Sequence, residues 1–398
     1  MKCVRPEEVG FCPTRLARLG EVIKQQVEGG IIPGAVVLLA RFGKPVIFET
    51  FGYCDPAREV PMRRDSLFRL ASLTKPITSV AAMILVERGM LSLDEPVARY
   101  LPEFDGLCCR SSAATPPIKV HDLLRHTSGF TYGDFGSGPI HESYRRLNVL
   151  DPQQTSSDLV EKLARIDLLY VPGSTFEYGM STDVLGLIIE RLLARDLQGA
   201  LHDLVFAPLG LDDTGFLLSS RSQSRLAQPF RDQASGRMPW MPAFWESNVS
   251  PSWYSGGGGL LSSAHNYYAF LQTLLDDLVH DQGVLLSRAT ASWMVANHLP
   301  AQVNFGAYMP SLGALAPLPE LGQGFGLGFL IRTHRGLNSL PGSVGDFSWA
   351  GISGTYAWVD PAEEMVCVFM MQAPDQRHHC RRLLRQLVYQ ALRGGKNL

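Results

Sequence analysis

The chain has 398 residues, 45% of them apolar and 19% charged, with 36 basic and 38 acidic side chains for a net charge of −2. A chain this long and apolar buries a large core and needs neither disulfides nor a structural metal to fold. The balanced, scattered charge offers no basic stripe for nucleic acid. Its apolar stretches, such as Ile31–Ala40, also fall far short of the ~20 residues that span a bilayer.

In chain order, the first element is an amphipathic helix opened by Pro13, with Leu16, Leu19, Val22, Ile23 and Val27 on one face and Gly29-Gly30 beyond its end. Two β-branched runs follow, Ala35–Ala40 and Val46–Phe48, around a turn containing Gly43. They read as a hairpin. Helical spacing returns over Lys75–Gly89, and the segment from Ser92 to about Leu209 is helices and irregular loops, clearest at Ser157–Ile166 and Thr182–Ala194. A Pro-, Gly-, Ser- and Trp-containing loop region runs from about Gln228 to Gly259. Ser263 is placed to cap a helix over Ala264–Leu278. Strands are expected at Phe325–Ile331, Gly354–Val359 and Met365–Met370, then a last helix over Arg377–Leu392.

This pattern implies an α+β chain. An antiparallel sheet is flanked by the N- and C-terminal helices, and a helical domain is inserted. The expected division is a discontinuous sheet domain, residues 1–74 with 245–398, and an α-helical domain, 75–244. Seven cysteines with no CxxC pair and no zinc spacing read as free thiols of a reducing compartment. The N-terminus carries acids and no apolar core, unlike a secretory signal. The expected location is therefore cytoplasmic.

Three short elements could carry chemistry. Ser72-Leu73-Thr74-Lys75 puts a serine and a lysine at i and i+3 on one helix face. There the amine can take the hydroxyl proton or stabilise the alkoxide, and the helix N-terminus adds free N–H donors. Tyr178, in Pro172-Gly173-Ser174-Thr175-Phe176-Glu177-Tyr178, stands between a turn and a helix. It is either a packing tyrosine or a proton shuttle. The segment Trp349-Ala350-Gly351-Ile352 is either a strand bulge or a backbone edge that supplies an oxyanion donor. Among other motifs, His126-Thr127-Ser128-Gly129 reads as a structural turn. His378-His379-Cys380 reads as a solvated helix start rather than a metal tract, and Gly256–Gly259 as close-packed backbone beside a cleft. No G-x-S-x-G elbow is present.

In order, Phe68–Lys75, Leu123–Gly129, Pro172…Tyr178, Ser255–Leu260 and Trp349–Gly351 resemble the serine β-lactamase and penicillin-binding-protein superfamily. The match is to its class C-like branch, and within that to the family VIII carboxylesterases. The resemblance implies a β-lactamase-like fold with the site at the junction of its two parts. It makes Ser72 the acylated nucleophile, Lys75 and Tyr178 the proton-transfer pair, and the N–H groups of Ser72 and Ile352 the oxyanion hole. No metal or organic cofactor is implied.

Two departures bear on substrate. The class C Y-x-N is Tyr178-Gly179-Met180 here, and K-T-G is Trp349-Ala350-Gly351. Without that lysine, an anionic substrate loses a contact worth about 1.5–3 kcal/mol. Small neutral esters with short acyl chains are therefore expected, bound by Trp349, Gly351, Met180, Tyr132 and Trp253, with Trp245 and Tyr254 as further apolar surface. An acyltransferase, a weak β-lactamase or D-amino-acid peptidase, and an inactive binding protein on the same scaffold are the alternatives. The inactive scaffold is disfavoured because Ser72, Lys75 and Tyr178 are all present.

Overall fold

The structure, a computed structural model, describes residues 1–217, 222–229 and 251–393. Its main element is an eight-stranded sheet. Crossing the sheet, the strands run Val60–Pro61, Lys44–Asp55, Gly34–Arg41, Met365–Met371, Tyr356–Asp360, Phe347–Ala350, Leu330–Arg332 and Gln323–Phe325. Every neighbouring pair is antiparallel. The two ends of the chain meet at its centre, where Ala35 pairs with Met371 and Arg41 with Met365.

Strands 34–41 and 365–371 are buried along their whole length, as strands covered on both faces must be. The Ala264–His280 helix packs on these two strands. The Pro13–Glu28 and Arg377–Tyr389 helices pack against each other, and the first also lies on the Lys44–Asp55 strand. Pro13 opens its helix as expected, and Ser263 caps the 264–280 helix by accepting the Asn266 N–H. The expected single strand over Phe325–Ile331 is instead two strands, 323–325 and 330–332, joined by a turn. Gly328, at φ +98°, lies inside that turn. The apolar side chains on both sides of Gly326 and Gly328 concealed the break.

The remaining helices lie between the two sheet-forming segments. Chief among them are Thr74–Glu87, Ser156–Ala164 and Ser181–Leu193. Helix 74–87 packs against helix 181–193, which brings the S-x-x-K element next to the tyrosine element. A two-stranded pairing of Leu67–Arg69 with Leu261–Ser263 then places the glycine run beside both. The expected boundary at 244/245 falls outside the described residues.

Candidate active site

Ser72 sits in a tight turn, Ala71–Leu73, leading directly into the Thr74–Glu87 helix. Ala71 adopts φ +51°, a left-handed conformation that costs a non-glycine residue about 1 kcal/mol. Its surroundings hold it there. Ser353 Oγ donates to Arg69 O and Thr355 Oγ1 to Leu70 O, each at 2.9 Å. These bonds stitch the chain after strand 347–350 onto the turn before Ser72. Gly351 lies in the seam, where a Cβ would stand 2.2 Å from Leu70 O. Only glycine allows that approach, so Ser72 and Ile352 face one cleft.

The lysine, second residue of that helix and three positions after Ser72, is fully buried. Its ammonium donates to Ser72 Oγ at 3.3 Å, Tyr132 Oη at 3.1 Å and Gly257 O at 2.7 Å. Burial lowers its pKa to about 8, with Asp183 pulling the other way. Asp183 itself is buried. It accepts from Ser255 Oγ, from the Gly257 N–H at 3.0 Å and from Tyr132 Oη at 3.4 Å. A Cβ at Gly257 would meet the Asp183 carboxylate at 2.4 Å. The glycine run is therefore the room that this carboxylate and Lys75 require.

Tyr178 completes the floor. Lys75 Nζ lies 4.6 Å from its ring centroid, and the Trp349 indole N–H donates to its oxygen at 3.2 Å. Burial pushes the phenol above its ordinary value, while Ser72 and then Trp349 act on the same oxygen in the opposite direction. The His126 ring packs behind Tyr178 at 4.9 Å. His126 is a turn residue, as expected, at φ +56°, and its carbonyl accepts the Glu177 N–H at 2.9 Å.

Above this floor is a cleft with about 890 Å³ of empty space, part of it open to solvent. Trp349, Gly351, Ile352, Tyr132 and Ser72 line it, together with Phe135 and Tyr308. The last two rings stack at 3.5 Å. Two expected substrate contacts are corrected. Met180 is wholly buried at the entry to helix 181–193 and does not line the cleft. Its apolar side chain packs in the core. Trp253 is also buried, and its indole N–H donates to Asp151 O at 2.6 Å. It holds a loop and does not face the cleft. Tyr254 packs on Phe216 at 4.9 Å, and Trp245 falls outside the described residues. Tyr132 does line the cleft, but its hydroxyl also holds Lys75.

Sequence reasoning missed three residues. Asp183 was hidden because a carboxylate in the first turn of a helix ordinarily reads as a solvated dipole partner. Its position five residues after Tyr178, opposite a glycine run, was the available signal. Arg377 and Arg381 line the cleft from the last helix, one turn apart on the face that the adjoining His378-His379-Cys380 tract obscured. Among the described residues, no group of three or more His, Cys, Asp or Glu side chains could hold a metal ion, and no helix is long and apolar enough to cross a membrane.

A serine next to a lysine of lowered pKa, a tyrosine and a backbone edge is an arrangement chemically suited to acyl transfer. The chain belongs to the Beta-lactamase family, whose model matches residues 19–390. It is 33% identical over 367 residues to Esterase EstB of Burkholderia gladioli, a match covering 87% of each chain. It is 34% identical to Protein Rv1367c of Mycobacterium tuberculosis, covering 89% of each. Among solved structures it is similar to EstCE1, described as a hydrolase with promiscuous acyltransferase activity. That similarity has a TM-score of 0.78 and 28% identity, covering 94% of this chain and 99% of that one. The α+β β-lactamase fold is thus shown, and these relatives support a serine hydrolase or acyltransferase on that fold.

Proposed function

We propose that this protein is a serine carboxylesterase of the family VIII type, working through an acyl-enzyme on Ser72. The observation that carries the reading is the 3.3 Å approach of Lys75 Nζ to Ser72 Oγ on the floor of a cleft lined in part by Trp349, Tyr308 and Phe135. The esterase relative supports it. A pKa of about 8 for Lys75 leaves an appreciable neutral fraction near that pH, which suits a general base.

Neutral Lys75 takes the Ser72 proton as Oγ attacks the ester carbonyl carbon. The N–H groups of Ser72 and Ile352 hold the oxyanion. Tyr178 gives its proton to the departing alkoxide, and the alcohol leaves. The pair is then an ammonium and a phenolate, and the Trp349 N–H steadies the phenolate. Water next gives a proton to Tyr178 and attacks the acyl carbon. As the carboxylic acid is released, Ser72 regains its proton from Lys75.

Short neutral esters fit the apolar wall made by Trp349, Tyr308 and Phe135. Seven unpaired cysteines suit a cytoplasmic location. We keep the two-part division of the chain, with the cleft in its seam, as part of this proposal. Hydrolysis of 4-nitrophenyl acetate and butyrate, run beside nitrocefin, tests the reading. It requires turnover by the wild type and none above background by Ser72→Ala. Equal rates in the two proteins would refute it, and a nitrocefin rate exceeding the ester rates would favour a β-lactamase.

A second reading, acyl transfer to an alcohol, is favoured by relatives such as Acyltransferase mokF of Monascus pilosus, 28% identical and covering 82% of this chain and 84% of that one. Partitioning of the acyl group between water and an added alcohol separates the two readings. Transfer to the alcohol alone would replace the hydrolase assignment.

A further inference from the structure

One wall of the cleft carries charge that the acyl-transfer apparatus does not use. Arg381 is only 6% exposed, yet its protein partners are uncharged carbonyls. Its Nη2 donates to Gly351 O and, at 3.4 Å, to Thr355 O. Its Nε is buried with no partner. The charged and titratable groups acting on it are Arg377, Tyr356, Cys380 and Tyr178, with no carboxylate among them.

Arg377, one helical turn earlier and half-buried, donates to Pro374 O at 2.9 Å and lines the same cleft. Three of the other buried arginines here are matched by acids, while Arg69 donates to Ala227 O at 3.0 Å. Arg332 and Arg385 share Asp346, and Arg41 pairs with Glu363. An unmatched buried guanidinium is costly, because desolvating a charge must be offset by a partner. Desolvation is strong enough to lower the Arg381 pKa to about 9. The one acid lining the cleft among the described residues, Asp134, belongs to the opposite, helical side and pairs with neither arginine.

We propose that Arg381 and Arg377 form a carboxylate subsite in the catalytic cleft, so that the preferred substrates are esters carrying a free acid group on the acyl or the alcohol side. The subsite rests on the esterase reading of Ser72. It revises the expectation of a wholly neutral substrate: the reacting ester lies against the apolar face of Trp349, and the charge is met by the last helix. Trp349 replaced a lysine on one strand, and two arginines on a neighbouring helix restore the positive charge at a different place.

The test uses two matched pairs of esters. Monomethyl glutarate against methyl pentanoate places the acid on the acyl side. 3-Carboxyphenyl butyrate against phenyl butyrate places it on the alcohol side. The wild type should prefer the acid member of at least one pair by about tenfold in kcat/KM, the effect of one charge-assisted contact. Added salt should shrink that preference. Arg381→Gln and Arg377→Gln should each cut the ratio severalfold, whatever they do to the absolute rate. Because Arg377 is half-exposed, its variant carries the test even if Arg381→Gln folds poorly. A preference absent from both pairs, or unchanged in both variants, overturns the subsite while leaving the esterase intact. Turnover of none of the four esters overturns the esterase reading and the subsite with it.

Discussion

The cleft has two buried charged centres, the Lys75–Asp183 pair and Arg381, that are differently completed. On the floor, Lys75 spends its three N–H groups on Ser72, Tyr132 and Gly257. The Asp183 carboxylate is met by Ser255, Gly257 and Tyr132. On the wall, Arg381 has only carbonyls and an unpartnered Nε. A closed network keeps its members in one geometry and one protonation order, as a reaction needs. An open one leaves capacity that a ligand can fill.

The largest expected effect tests the floor. Ser72→Ala should lower kcat for butyrate esters by at least about a thousandfold. A smaller loss would mean that the floor is scaffolding and not machinery. Tyr178→Phe keeps the ring packing against His126 but removes the proton donor, and should cost about 10²–10⁴ in kcat. Circular dichroism and melting should stay close to wild type, which separates chemistry from folding.

Third comes pH. Only neutral Lys75 accepts the serine proton, and its fraction grows as pH rises through about 8. Activity should therefore climb across that range. Asp183 stabilises the ammonium, so Asp183→Asn should move the rising limb to lower pH. A limb that stays fixed would mean that the Lys75–Asp183 coupling is not what sets it. Fourth, Gly351→Ala puts a methyl group against Leu70 O and Thr355 Oγ1. It should cost about 1–3 kcal/mol of stability, read by urea unfolding, and lower activity by displacing Ile352. Smallest is Trp349→Phe. It removes one hydrogen bond to Tyr178 and should slow turnover by about two- to tenfold.

Much of this was legible in the sequence, for reasons that can be named. Pro13, Gly29 and Ser263 punctuate helices through local chemistry, so those ends were readable. Ser72, Lys75 and Tyr178 stood in short ordered motifs, and motif order survives folding. Asp183, Arg377 and Arg381 did not show, because the first two look like ordinary charges in a helical first turn and Arg381, one turn further on, like an ordinary charge along a basic helix. Only the packing of helix 74–87 on helix 181–193, and the reach of Arg381 from the last helix to Gly351 O, brings them to the site. Met180 and Trp253 failed in the opposite way. Sequence adjacency to a functional residue was read as adjacency to substrate, but a helix entry and a loop anchor turned both side chains inward.

The most direct measurement of the central claim is the mass of the enzyme quenched during turnover of 4-nitrophenyl butyrate. The account predicts one added butyryl group, located by peptide mapping on the fragment containing Ser72 and absent from Ser72→Ala. A butyryl group on any other residue, or turnover with no acylated protein in either form, would contradict it.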